Sequence, residues 1–307
     1  MKAIVWHGIG DIRLDEVPDP SIEGANDAII EITNSAICGT DLHLVRGTMG
    51  GMREGTVLGH EAVGVVRELG SGVRNFRPGE RVVVGSTIGC GSCSYCRAGY
   101  YSQCDIANPN GETAGTAFFG GPETTGSFDG LQAQYARMPF ANVNLVKIPG
   151  PDRVIGAVGV DAERPKTGPA ATDENDEQFA AERAANTPEP NQQGQLWKPG
   201  DAPSQAAQWY VQAIAKAGTI GLIGVYPPTT TSFPIGAAMN KNLIIKMGNA
   251  EHRRYILHLL NLVASGVVDP STVLTQARGL DVSALEAYER FDQREEGRIK
   301  TVLEPTR

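Results

Sequence analysis

The run GCGSCSYCRAGYYSQC at 89–104 places four cysteines as C-x2-C-x2-C-x7-C, and no other feature constrains the chain as much. Cys90, Cys93, Cys96 and Cys104 lie within 15 residues, separated by small and polar residues that let the backbone fold round one ion. Four thiolates in one loop suit tetrahedral Zn2+, at Zn–S distances of about 2.3 Å. An iron–sulfur cluster also takes four thiolates, but the C-x3-C-P that follows in bacterial ferredoxins is missing here. Four protein ligands leave no open position, so a zinc ion held here is structural rather than catalytic. Cys38 stands apart from the cluster. Five thiols grouped in this way point to metal chemistry and not to a disulfide framework.

The chain of 307 residues is long enough for two domains with a sizeable core. Its net charge of -8 and pI near 5.2 argue against nucleic acid or an anionic membrane as the main partner, since phosphate binding needs a basic face. No run of about 18 apolar residues occurs, and MKAIVWHGIGDIRL at the start lacks the apolar region of a signal peptide. The expectation is a cytoplasmic protein that does not span a membrane.

Residues 1–150 are strand-rich. MKAIVW (1–6), DAIIEIT (27–33), EAVGVVREL (61–69), RVVVG (81–85) and LQAQYARM (131–138) have strand composition or alternation, and turn signals such as RPGE (77–80) separate them. Such spacing suggests a barrel-like β domain. After IPGPD (148–152) the pattern becomes α/β. VIGAVGV (154–160), GTIGLIGVY (218–226) and NLIIKMG (242–248) read as strands of parallel-sheet type, and IKTVLEP (299–305) as a final strand. Helical spacing marks 205–218, 251–266 and 283–293. Residues 161–202 are polar and read as an exposed excursion, with one helix expected at 173–186. His252 and His258 read as packing or surface residues, and Trp197 and Trp209 as packing anchors.

Cys38 and the pair His60-Glu61 carry little weight alone, because a lone cysteine in an apolar strand is more often a core residue. Together with the four-cysteine run they form a pattern. Cys38-Gly39-Thr40, His43, Gly59-His60-Glu61, the glycines to Gly64 and the cysteine cluster resemble zinc-dependent medium-chain dehydrogenases of the alcohol dehydrogenase type. Stretches 154–171, 200–206 and 215–227 look most like one subgroup, the glutathione-independent formaldehyde dehydrogenases, from which Gly156 departs. The resemblance implies an α/β fold. A GroES-like β-barrel catalytic domain would span 1–150, with the structural zinc lobe at 88–106. A partial Rossmann-like domain would span 151–307 and keep strands 4–6 of its parallel sheet.

The resemblance also implies roles. Cys38 and His60 would hold a catalytic zinc, with Glu61 as an occasional ligand or a carboxylate beside it. Thr40 would pass the proton of the substrate oxygen and His43 would carry it outward. Hydride from a small alcohol or aldehyde substrate would go to NAD. A homo-oligomer is expected, as the family more often forms dimers and tetramers.

One part of that pattern is missing. G-x-G-x-x-G occurs nowhere after a strand and before a helix, and GTIGLIG has the wrong spacing and leads into VYPP. The chain passes from KIPG (147–150) to the family's fourth Rossmann strand, which leaves out about 80 residues at roughly 30 per βαβ unit. That segment normally supplies the phosphate-binding turn and a third protein ligand to the catalytic zinc. NAD is therefore expected to bind very weakly. Three readings follow: a dehydrogenase with a shortened coenzyme domain, a zinc-stabilised relic that binds no dinucleotide and self-associates, and a zinc-dependent activity that needs no dinucleotide.

Overall fold

The computed structural model describes residues 1–110, 115–148, 205–222 and 232–305, with single positions 181, 224, 226 and 230. The strand expected at 154–160, the excursion at 161–202 and its helix, Gly156 and Trp197 lie outside the described residues.

Strands β1 (Lys2–Gly8) and β2 (Asp11–Glu16) form an antiparallel hairpin. A larger mixed sheet follows, built on β3 (Ala28–Ala36), β4 (Ala62–Leu69), β5 (Arg81–Val84), β6 (Tyr135–Met138) and β7 (Leu145–Lys147). Period-two alternation sets its inner face: Val82 and Val84 of β5, and Ala136 and Met138 of β6, point into the core while their neighbours are half-buried. Strands β3 and β4 approach closely at Gly64, where a Cβ would lie 2.3 Å from the Glu31 carbonyl oxygen, so only glycine fits. Cys38 is not in a strand. It follows β3 and caps helix α1 (Gly39–Arg46), which buries Leu42, Leu44 and Val45 and ends at Gly47 with φ 75°. Short helices α2 (Ser94–Arg97) and α3 (Ala141–Asn144) complete this half.

Helix α4 (Gln205–Ala213), strand β8 (Thr219–Leu222), helix α5 (Ile235–Asn240) and strand β9 (Ile244–Met247) come next. Strands β8 and β9 pair in parallel, and Val211, Ile220 and Ala238 form a small core between them and the helices. The Lys241 ammonium donates to the carbonyls of Val211, Gln212 and Ile214 at 2.9, 2.7 and 3.0 Å, and so satisfies the C-terminal end of α4. Trp209 is exposed on α4, and the excursion it was expected to anchor lies outside the described residues.

Helix α6 (His252–Ala264), strand β10 (Leu274–Gly279), helix α7 (Val282–Asp292) and strand β11 (Lys300–Glu304) close the chain. The sheet order is β10-β11-β3-β4-β5-β7, with β6 also pairing with β3. Val302 and Leu303 of β11 lie antiparallel to Ala36 and Ser35 of β3, while Ala28–Glu31 at the other end of β3 pair with β6. A single core joins Ile4, Trp6, Ile37, Leu42 and Leu58 to Ala284, Ala287, Tyr288 and Leu303. Residues 274–304 thus share a sheet and a core with the first half of the chain. Among the described residues, no helix is long and apolar enough to cross a membrane.

Candidate metal centre

The cysteine run folds into a lobe around α2. Its four sulfurs lie within 4.8 Å of one another. Cys93 Sγ and Cys104 Sγ are 3.9 Å apart, close to the edge of about 3.8 Å that a tetrahedron with 2.3 Å Zn–S bonds requires. Backbone N–H groups are turned onto the sulfurs: Cys90 N to Cys104 Sγ at 3.2 Å, Cys93 N to Cys90 Sγ at 3.3 Å, Cys96 N to Cys93 Sγ at 3.4 Å and Ala107 N to Cys104 Sγ at 3.3 Å. Such donors stabilise thiolate. Burial alone would raise the Cys90 thiol, but the Ser92 hydroxyl and the N–H groups of Ser92 and Cys93 outweigh it and lower it to about 6. Burial pushes Cys96 and Cys104 up, so these thiols need a cation to ionise. The donor set and its geometry fit zinc.

A second centre forms where the end of β3 meets the loop before β4. Cys38 Sγ, a ring nitrogen of His60 and a carboxylate oxygen of Glu61 lie within 4.8 Å of one another. Gly59 makes this turn possible: its φ is +96°, and a Cβ there would lie 2.4 Å from Gln132 Cγ. Asp41, wholly buried in the first turn of α1, touches both Cys38 and His60. Its Oδ2 accepts the Cys38 backbone N–H at 2.9 Å, and its Oδ1 lies 3.2 Å from His60 Nδ1. Lys300 Nζ on β11 lies 2.7 Å from Glu61 Oε2. Phe118 packs edge-on against the His60 ring at 6.0 Å.

The electrostatics of this pocket favour positive charge. Burial works against an imidazolium at His60, but the Asp41 carboxylate and the Cys38 thiolate outweigh it and hold the group well above its ordinary value. Asp41 Oδ1, His60 Nδ1 and Glu61 Oε2 are buried without an aligned hydrogen bond, although all three lie at the ion-pair distances just given. One soft sulfur, one imidazole and one carboxylate around such a pocket suit zinc and leave a fourth position open.

Residues 24–150 match the alcohol dehydrogenase GroES-like domain. A zinc-type alcohol dehydrogenase-like protein of Bacillus subtilis is 31% identical over 381 aligned positions, which cover 99% of this chain and 100% of that protein. The chain belongs to the zinc-type alcohol dehydrogenase family. A glutathione-independent formaldehyde dehydrogenase of Pseudomonas aeruginosa is 34% identical over 154 positions, 48% of this chain and 37% of that protein. Among solved structures, the alcohol dehydrogenase TADH from Thermus sp. ATN1 superposes with a TM-score of 0.69 at 25% identity, covering 99% of both chains. The family's α/β fold with a GroES-like domain is therefore present.

Thr40 sits in the first turn of α1 with Oγ1 3.9 Å from Cys38 Sγ, and His43 is buried three residues further along the same helix. Several residues near the centre escaped the sequence reading: Asp41, Ser86, Gln132, His252, Tyr288 and Lys300. His252 is no mere surface residue. Its Nδ1 lies 2.9 Å from Ser86 Oγ, and burial together with the positive charge of His60 lowers its pKa. Its neighbour Glu251 accepts from Ser102 N at 3.0 Å and from Ser102 Oγ at 2.5 Å, which ties α6 to the cysteine lobe. Asp41 had a signal in the sequence, an acid three residues after Cys38 at the start of a helix. The other five carry none.

Proposed function

We propose that this chain is a zinc-dependent oxidoreductase acting on a small alcohol or aldehyde, with its substrate oxygen at the Cys38, His60 and Glu61 centre and with a shortened coenzyme domain. In this reading the catalytic part is 1–150, with its lobe at 88–106, joined by residues 274–304, which share its sheet and core, and the reduced coenzyme part lies between them. One observation carries it: sulfur, imidazole and carboxylate within 4.8 Å, two of them held by one buried aspartate. Zinc bound there supplies Lewis acidity, which lowers the pKa of an alcohol oxygen towards neutrality. Cys38 and His60 would hold the ion, and the Asp41 carboxylate, 3.2 Å from His60 Nδ1, would favour a proton on that nitrogen. Lys300 holds one oxygen of Glu61, and Glu61 would serve as a ligand or as a carboxylate beside the ion. Thr40, beside Cys38, takes the proton of the substrate hydroxyl, and His43 passes it outward along α1. The absence of a long apolar helix among the described residues agrees with a cytoplasmic enzyme.

The family's dinucleotide does not fit the residues at hand equally well. The sequence has no G-x-G-x-x-G between a strand and a helix, and a 381-position alignment leaves at least 74 positions without a residue of this 307-residue chain. We therefore route no step through NAD. These observations favour a second reading, a zinc-stabilised relic that binds no dinucleotide and self-associates through its exposed sheet. Isothermal titration of NADH into metal-replete protein separates the two. Micromolar binding supports the dehydrogenase, and no heat at millimolar NADH leaves the relic. A zinc-dependent activity without dinucleotide needs an intact Cys38 centre and no NADH affinity.

A further inference from the structure

Behind the Cys38 centre a row of buried polar groups runs back to the C-terminal helix. Tyr288 Oη on α7 donates to Gln132 Oε1 at 2.5 Å. Gln132 Nε2 donates to the Ala36 carbonyl and to Asp41 Oδ2, both at 3.2 Å. Asp41 Oδ2 also takes the Cys38 N–H, and Asp41 Oδ1 faces His60 Nδ1. Gln132, Asp41 and Tyr288 are wholly buried.

Chemistry fixes the direction of this row. The Ala36 carbonyl only accepts, as does an ionised carboxylate, so the end of the Gln132 side chain facing both must be its NH2. Its oxygen can then only accept, and Tyr288 must donate. With Oδ2 occupied by two donors, Asp41 presents Oδ1 to the imidazole. We propose that Gln132 and Tyr288 are positioning residues for the open metal centre, acting through Asp41 to fix the orientation and tautomer of His60. The inference rests on the reading that Cys38, His60 and Glu61 hold a metal ion.

Three further observations agree. Gly59, the residue before His60, lacks the Cβ that would strike the Gln132 side chain, so the turn that presents His60 is shaped around Gln132. Burial, reinforced by the Asp41 charge, holds the Tyr288 hydroxyl well above its ordinary value, so it stays a donor. The row also joins four separate segments, from Asp41 on α1 to Tyr288 on α7, and so links the C-terminal helix to His60 through Gln132 and Asp41.

The test uses the full chain, metal-stripped and reloaded with Zn2+ or Co2+, in wild type, Tyr288→Phe and Gln132→Met. Affinity is read by competition with a chromophoric chelator, and the ligand field from the Co2+ visible spectrum. The cysteine lobe, whose four thiols include neither substituted residue, serves as the internal control for folding. Expected are a weakening of about 10- to 100-fold at the open centre and altered Co2+ bands, with the lobe unchanged. Wild-type affinity and bands in both variants would overturn the inference while leaving the metal centre standing. A wild type that loads only the lobe would overturn the metal reading itself, and this inference with it.

Discussion

At the scale of single residues, the site depends on what is absent as much as on what is present. Gly59 lets the chain turn with φ +96° and leaves room for Gln132. Replacing it by alanine forces a Cβ into a 2.4 Å contact while holding a left-handed backbone. The expected cost is about 2 kcal/mol or more, read as a lower urea midpoint at unchanged slope, and a shift of under a few tenths would contradict the assignment. Cys38, His60 and Glu61 were legible because residue types and order carry family resemblance. Their supports were not: Gln132 and Tyr288 lie 91 and 247 residues from Asp41 and no local pattern links them. Only the tertiary fold brings a glutamine, a tyrosine and an aspartate into one row.

At the scale of elements, legibility followed periodicity. Strands β3 to β5 were readable because β-branched residues alternate or run together in them. Helix α1 was not, since GTDLHLVR begins with two poor helix formers and is held by its cap and its buried Leu42, Leu44 and Val45. Strand β10, LTQARG, was missed because an edge strand needs no apolar alternation. The ends of the helices make testable claims. Asp281 caps α7, its side chain accepting the Ser283 N–H at 2.7 Å, and this bond and the Ser283 hydroxyl depress its carboxyl pKa. A depressed pKa in the folded state adds stability above the unfolded value of about 3.9, and that stability fades as pH falls through the folded value. Asp281→Ala should therefore cost about 1 kcal/mol at pH 7, with the gap to wild type closing below about pH 4. A gap independent of pH would mean that the cap is not ionic. Lys241→Met leaves three carbonyls at the end of α4 without their donor. Faster hydrogen exchange across 205–214, against unchanged exchange in β3 and β4, is the expected result, with a loss of about 1 kcal/mol locally.

At the scale of the whole molecule, the chain returns on itself. The strand at 299–305 was readable as a strand, but its partner was not, because an apolar run carries no address for a sheet edge. In the structure β11 pairs with β3 and brings Lys300 to Glu61, while α7 brings Tyr288 to Gln132. Residues of β11 and α7 are thus part of the wall behind the candidate metal centre. The cysteine lobe is tied in from another direction, by Glu251 at the start of α6. The proposed function calls for two metal sites, one closed site of four thiolates and one open site of mixed donors. Zinc per chain, determined on dialysed wild type beside Cys38→Ala, tests it most directly. About two ions are expected in the wild type and about one in the variant, with the lobe retained. A single ion in both would contradict it and leave the lobe as the only metal site.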